Sequence, residues 1–328
     1  MKIHKIAYNP GTLLSMNEVL SFARLADHRN NVDSLWVPES WGREAFASLG
    51  AMSQVTKKLK LGTSIIGIYT RTPATIAMAA TTLDILSNNR TIIGLGASTP
   101  PLVEDWHGTK FQRPLCRMRE YIECLRLMMK GEKVYYSGTF LKVQNFKLLY
   151  KPKRQKIPIF VAAVNKHMIS LACDLADGIL LYLRPMEELR KTVSLIKSRT
   201  RKKYRDFEIA SVFIGAVSNK EPEKARERAA KTLAFYIAVG RYYNRFLSDN
   251  GFQDDVEQIT SEYHRNGLDI ASKFVSEKML NSLTISGNSE QCVRSLGKFL
   301  SAGISLPIIQ VNPVSNTESS IREMLSTF

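Results

Sequence analysis

Residues 63–108 read TSIIGIYTRTPATIAMAATTLDILSNNRTIIGLGASTPPLVEDWHG, and this stretch decides the fold. An apolar, β-branched run at 61–66 reads as a buried strand that ends in a loop carrying Thr70-Arg71-Thr72-Pro73. Small and apolar residues at 74–86 predict a helix. A second apolar run, 91–95, ends at Gly96-Ala97-Ser98-Thr99-Pro100-Pro101. Glycine and polar residues thus gather just past the C-terminal ends of two successive parallel strands. In a (β/α)8 barrel that rim binds substrates and cofactors.

The same beat runs along the chain. Strands are predicted at 5–8, 34–37, 60–66, 91–95, 158–162, 178–182, 208–217 and 306–311. Amphipathic helices separate them. Val19, Leu20, Ala23 and Ala26 share one face of 16–29, and Leu115, Met118, Ile122, Leu125 and Met129 recur at helical spacing in 114–130. Alternating strands and helices imply parallel β-α-β units. Eight of them point to an α/β fold, a (β/α)8 TIM barrel forming one domain over 1–328, with a doubly wound open sheet as the other arrangement. Two excursions interrupt the beat. Residues 133–146 (KVYYSGTFLKVQNF) alternate like a β-hairpin about Ser137-Gly138, and a helical insertion of about 221–285 follows the seventh strand. The insertion's Phe235, Tyr236, Ile237, Tyr242, Tyr243 and Phe246 read as core or subunit interface.

Composition narrows the function. The 328 residues carry 46 Lys and Arg against 30 Asp and Glu, a net charge of +16. The basic residues concentrate at 151–156 (KPKRQK) and 197–205 (KSRTRKKYR). Solvated helix ends, nucleic-acid binding and attraction of a polyanionic cofactor or substrate are the three readings. No basic stripe interleaved with aromatics supports the second, so no nucleic-acid partner is expected. There is no apolar run long enough for a membrane span, and the N-terminus lacks a signal-peptide core, so a cytoplasmic protein is expected. The four cysteines have no metal-binding spacing, nor do the five histidines, so no metal is expected. GLGAS at 94–98 is not a dinucleotide fingerprint, and neither a GxSxG nor a phosphate-binding P-loop is present.

Several residues suit chemistry at the rim. Glu39, beside Trp41 after the second strand, suits proton acceptance or ring orientation; the plainer role is a helix-capping acid paired with Arg43. Ser64 and Ile65 end the third strand, and Ala97 and Ser98 follow the fourth. Ala163-Val164-Asn165-Lys166-His167 precede a helix whose first N–H groups suit a phosphate, or form an ordinary asparagine cap. His107 reads as a general acid or a structural histidine.

These segments together, 33–46, 61–78, 86–98, 104–140, 157–181 and 286–309, resemble the luciferase-like monooxygenase superfamily. Within it the chain is most similar to the coenzyme F420-dependent oxidoreductases that include methylenetetrahydromethanopterin reductases. The resemblance implies hydride transfer between F420 and a small organic substrate, methylenetetrahydromethanopterin-like or an alcohol or aldehyde. The alternative is an FMN-dependent monooxygenase using reduced flavin and O2. It implies catalytic roles for Glu39, Trp41 and Ser98. It places the cofactor against Ser64, Ile65, Ala97, Thr99, Ala163, Val164, Asn165, Lys166 and His167. A homodimer or higher homo-oligomer is also expected. The chain departs from the family pattern at Ser40, where histidine is common, at Thr99, where several relatives carry an acid, and at Asn165-Lys166, where Gly-Pro is usual. The resemblance further implies a cis peptide between Ser64 and Ile65.

Overall fold

A computed structural model describes residues 4–150, 152–154, 156–200 and 206–328. The strands are β1 (Ile6–Asn9), β2 (Val32–Val37), β3 (Lys60–Thr63), β4 (Ile66–Gly67), β5 (Thr91–Gly96), β6 (Val134–Ser137), β7 (Lys142–Phe146), β8 (Ile159–Ala162), β9 (Gly178–Tyr182), β10 (Glu208–Val217), β11 (Thr284–Gly287) and β12 (Leu306–Val311). Helices lie between them: α1 (Met16–Asp27), α2 (Ala45–Val55), α3 (Pro73–Leu86), α4 (Pro114–Met128), α5 (Lys166–Leu175), α6 (Met186–Arg199), α7 (Pro222–Val239), α8 (Arg241–Leu247), α9 (Gln253–Asn266), α10 (Leu268–Ala271), α11 (Glu277–Leu283), α12 (Ser289–Ser301) and α13 (Thr317–Thr327).

The main sheet runs β12-β1-β2-β3-β5-β8-β9, and β10 pairs with both β9 and β12, closing an eight-stranded barrel. All the registered pairs in it are parallel. The eight expected strands are the barrel strands. Two details differ. The third is split into β3 and β4 around Ser64 and Ile65, and β11 adds a short strand where the helical insertion was expected to continue to 285. The reason is the ten-residue length of β10: its lower part pairs with β12, while Ile214–Val217 extend far enough to take Thr284–Gly287 on the other edge. The hairpin forms as expected, β6 against β7.

Contacts divide the chain into two compact units, one of Val19–Leu180 and Ile196–Glu208, the other of Met1–Glu18, Leu181–Leu195 and Ile209–Phe328. In the first, Trp36 on β2 meets Phe160 on β8 edge to face, ring centroids 5.3 Å apart. Two strands separate β2 from β8 in the sheet, so both rings fill the barrel interior. Gly62 and Gly178 make the room: a Cβ on either would sit about 2.5 Å from a ring carbon. Charge pairs built on buried carboxylates hold the N-terminal ends of the strands. Arg154 grips Asp84. Asp177 takes Arg126 and Lys156 and accepts the Ile159 N–H at 2.9 Å. Burial pushes the Asp177 carboxyl up, but these partners outweigh it and hold it below the usual carboxylate range. Two cations of the first basic run are therefore structural; Lys151 and Gln155 of that run, and 201–205 of the second, lie outside the described residues.

The second unit holds the inserted helices. Ala229, Leu233, Ile237, Leu247, Phe252, Val256 and Ile259 form their apolar core with Ile214 and Ala216 of β10. Among the described residues no helix is long and apolar enough to cross a membrane.

Candidate active site

The C-terminal rim of the first unit begins where β2 ends. Glu39 is mostly buried, and both its oxygens are engaged. Arg71 donates from Nε to Oε1 and from Nη2 to Oε2, both at 2.9 Å, and the N–H of Ala45 donates to Oε2 at 2.9 Å. Arg71 also bonds Glu44, which caps α2 by accepting from Phe46 and Ala47. Burial raises the Glu39 pKa, but Arg71 and the Ala45 N–H lower it further, leaving an ionised carboxylate below the usual range. The partner of Glu39 is thus Arg71, from the loop after the third strand, and not Arg43.

The loop that presents Arg71 is held from α4. Tyr121 donates its hydroxyl to the Arg71 carbonyl at 2.8 Å, and Arg117 donates to the Ile68 carbonyl at 3.1 Å. The Arg117 guanidinium lies 4.6 Å over the Tyr69 ring, which stacks on Phe111. Thr72 caps α3 through the Thr75 N–H, with Pro73 at the first position.

Between β3 and β4 the Ser64–Ile65 peptide is cis. The N–H of Ser64 donates to Val37 at 2.8 Å, and the N–H of Glu39 donates to the Ile65 carbonyl at 3.3 Å. The Ile65 side chain lies over Gly96, where a Cβ would come within 2.5 Å of it. Ile68 donates to the Gly96 carbonyl at 3.0 Å. Glu39, Ser64, Ile65 and Gly96-Ala97 therefore meet at one rim. Ser98 takes a left-handed φ of 63°, and the Thr99 carbonyl accepts from Val103 at the start of a short helical turn. Trp41 and Trp106 are more than half exposed and meet edge to face, 5.6 Å between centroids. His107, after Trp106, is exposed.

Ala163–His167 continue from β8, beyond β5 in the sheet. Asn165 caps α5 by accepting from Met168 at 2.9 Å. Lys166 and His167 are exposed, and among the described residues their N–H groups have no partner within the chain. Two free N–H groups at the positive end of a helix, beside a lysine, fit an anionic group such as a phosphate.

The second unit carries its own polar cluster at strand ends. Tyr182, the last residue of β9, donates its hydroxyl to Gln310 Oε1 on β12 at 3.0 Å. Tyr236 of α7 and Tyr243 of α8 meet the Tyr182 ring edge to face at 5.3 and 5.5 Å. Burial drives the hydroxyl pKa of all three tyrosines upward. Arg184 is buried, bonds Glu188 and Thr192 at 3.0 Å, and has its pKa brought down by burial to about 10. Sequence reasoning gave no role to Arg71, Tyr182, Arg184 or Gln310. The one signal for Tyr182 is its place as a polar residue closing an apolar strand.

With this geometry in hand, the class is clear: residues 4–306 match the luciferase-like monooxygenase family, and the chain belongs to it. Among its relatives, a candidate coenzyme F420-dependent oxidoreductase of Mycobacterium tuberculosis is 28% identical over 299 residues, 84% of this chain and 86% of that protein. The 5,10-methylenetetrahydromethanopterin reductase of Archaeoglobus fulgidus is 26% identical over 296 residues, covering 88% and 87%. The solved F420-dependent tetrahydromethanopterin reductase of Methanopyrus kandleri superposes with a TM-score of 0.87 over 99% of this chain and 98% of that one; at 19% identity the likeness is one of fold.

Proposed function

We propose that the chain is a coenzyme F420-dependent oxidoreductase, a single catalytic barrel domain that moves a hydride between the deazaflavin and a small organic substrate. The observation that carries this reading is the rim built by Glu39, Ser64, Ile65 and Gly96. The bulge between β3 and β4 is tied by hydrogen bonds to β2 and seats its side chain on a glycine, so it offers backbone as a shelf for a planar ring. The relatives of similar length support F420 over FMN.

The cofactor, when bound, supplies the redox chemistry; the protein supplies binding, orientation and local charge. Glu39 holds Arg71 and the start of α2 in place, and its backbone N–H fixes the Ile65 carbonyl. An ionised Glu39 with both oxygens engaged acts as the organiser of this rim. Trp41 walls the ring site, Ala97, Ser98 and Thr99 form its edge, and Lys166 with the N–H groups of α5 holds the phosphate. The excess of positive charge favours the anionic tail of F420 through long-range attraction. Substrates of the methylenetetrahydromethanopterin or alcohol and aldehyde classes fit the same reading.

The chain also forms a homodimer in this reading, through α2 and α3. Their outward residues Ala47, Ala51 and Gln54, then Thr75, Met78, Thr82, Ile85 and Leu86, include no charge, in a chain with 76 charged side chains. Met78 and Leu86 are about half exposed. The deciding experiment is cofactor binding by fluorescence titration. F420 binds and FMN does not if the reading holds; preference for FMN gives the monooxygenase, and binding of neither gives a barrel without this activity.

A further inference from the structure

The Tyr182–Gln310 bond joins two strands that are not neighbours: β10 lies between β9 and β12. A side-chain bond that passes over an intervening strand runs through the barrel interior. Alternation along the strands agrees. A Cβ on Gly215 would strike Ile309 and come near Met324 of α13, which puts Ile309 on the outer, helix-covered face and its neighbour Gln310 on the inner one. The bond therefore crosses the mouth of the barrel at its C-terminal end, where (β/α)8 enzymes bind substrate. The inserted helices reach the same place, through Tyr236 and Tyr243.

The hydrogen count of this group is open. Tyr182 and Tyr236 each bring one O–H, and Gln310 brings two N–H. Tyr182 gives its O–H to Gln310 Oε1, and among the described residues the Tyr236 O–H and the two Gln310 N–H groups make no hydrogen bond within the chain, which leaves donor hydrogens for a further acceptor. The group itself carries no charge, and Arg184, the cation that acts on the neighbouring Tyr243, is matched by Glu188. The surrounding walls are aromatic rings.

We propose that Tyr182, Gln310 and Tyr236 form the substrate-selecting element, which takes an uncharged oxygen acceptor, a carbonyl or hydroxyl group on a small, flat or aliphatic molecule. Tyr243, edge to face against the Tyr182 ring, forms a wall beside it. This deepens the oxidoreductase reading and rests on it for the assignment of the bound molecule as substrate.

The test is ligand-observed saturation-transfer NMR on the full chain with F420 added. The probes are acetone, cyclohexanone, cyclohexanol and the matched carboxylates acetate and cyclohexanecarboxylate. The ketones or the alcohol bind the wild type and the carboxylates do not; Tyr182→Phe and Gln310→Met each weaken that binding about tenfold, the loss of roughly one hydrogen bond. Circular dichroism and the F420 dissociation constant stay at wild-type values in both variants. The proposal is overturned if the carboxylates bind better, if no neutral probe binds, if neither variant weakens binding, or if F420 affinity falls in step with probe affinity. A wild type that fails to bind F420 yet binds the ketones through Tyr182 and Gln310 refutes the cofactor reading and leaves the selecting element standing.

Discussion

Arg71→Met tests the organising role of Glu39. The substitution keeps much of the side-chain volume and removes both bonds to Glu39, leaving a carboxylate that is only 17% exposed with the Ala45 N–H as its partner. Removing one member of a buried ion pair costs about 3–5 kcal/mol. Both side chains here keep some solvent contact, 17% and 19%, so about 2–3 kcal/mol is expected. The unfolding entropy of a 328-residue chain is about 0.7 kcal/mol/K, so the melting temperature falls by about 3–4 °C. The pH dependence follows from the sign of the shift. Glu39 is held below its ordinary value of 4.5 in the folded chain, so its contribution is fully present above about pH 4.5. It is lost as the pH falls through the folded-state value. The gap in melting temperature between wild type and Arg71→Met is therefore full at pH 7 and shrinks below pH 4.5. Scanning calorimetry at pH 7 and at pH 3.5 to 4.5 measures it. Glu39→Gln, which preserves shape, completes a double-mutant cycle; a coupling of more than 1 kcal/mol is expected between these two contacting groups. An unchanged melting temperature for Arg71→Met at pH 7, or a gap that widens in acid, refutes the reasoning.

Three further perturbations test the rest of the rim. Lys166→Ala weakens F420 binding by roughly tenfold at low salt, with the difference shrinking as salt is added; an equal affinity shows that Lys166 only faces solvent. Gly96→Ala places a methyl group against Ile65, destabilises the chain by about 1–3 kcal/mol and weakens cofactor binding, because Ile65 must leave its seat; a wild-type melting curve counts against the close approach. Met78→Glu puts a charge into the neutral face of α2 and α3 and converts a dimer to monomers in light scattering, while a wild-type monomer removes that interface altogether.

Regular features of the fold were legible because they repeat. The eight strands and their helices recur with a period that survives without any knowledge of contacts, and Thr72 before α3 with Pro73 at its first position marks its start locally. Features that depend on distant pairs were not legible. Proximity in sequence offers Glu39 only Arg43 as a partner for its capping role, yet its partner is Arg71, 32 residues on, because neighbouring barrel strands bring the loops after β2 and β4 together. Solvated charge is one reading of the basic run at 151–156, yet Arg154 and Lys156 answer Asp84 and Asp177, which lie 70 and 21 positions away. The Tyr182–Gln310 bond spans 128 residues, and neither residue type announces such a partner. The cis peptide was legible only through resemblance, since Ser64 and Ile65 carry no local signal for it. The division has one cause. A strand or helix is written in the periodicity of its own residues, whereas a barrel rim is assembled from the ends of separate strands. Its chemistry is set by which loops the closure of the sheet makes adjacent, and each loop's own sequence leaves that undetermined.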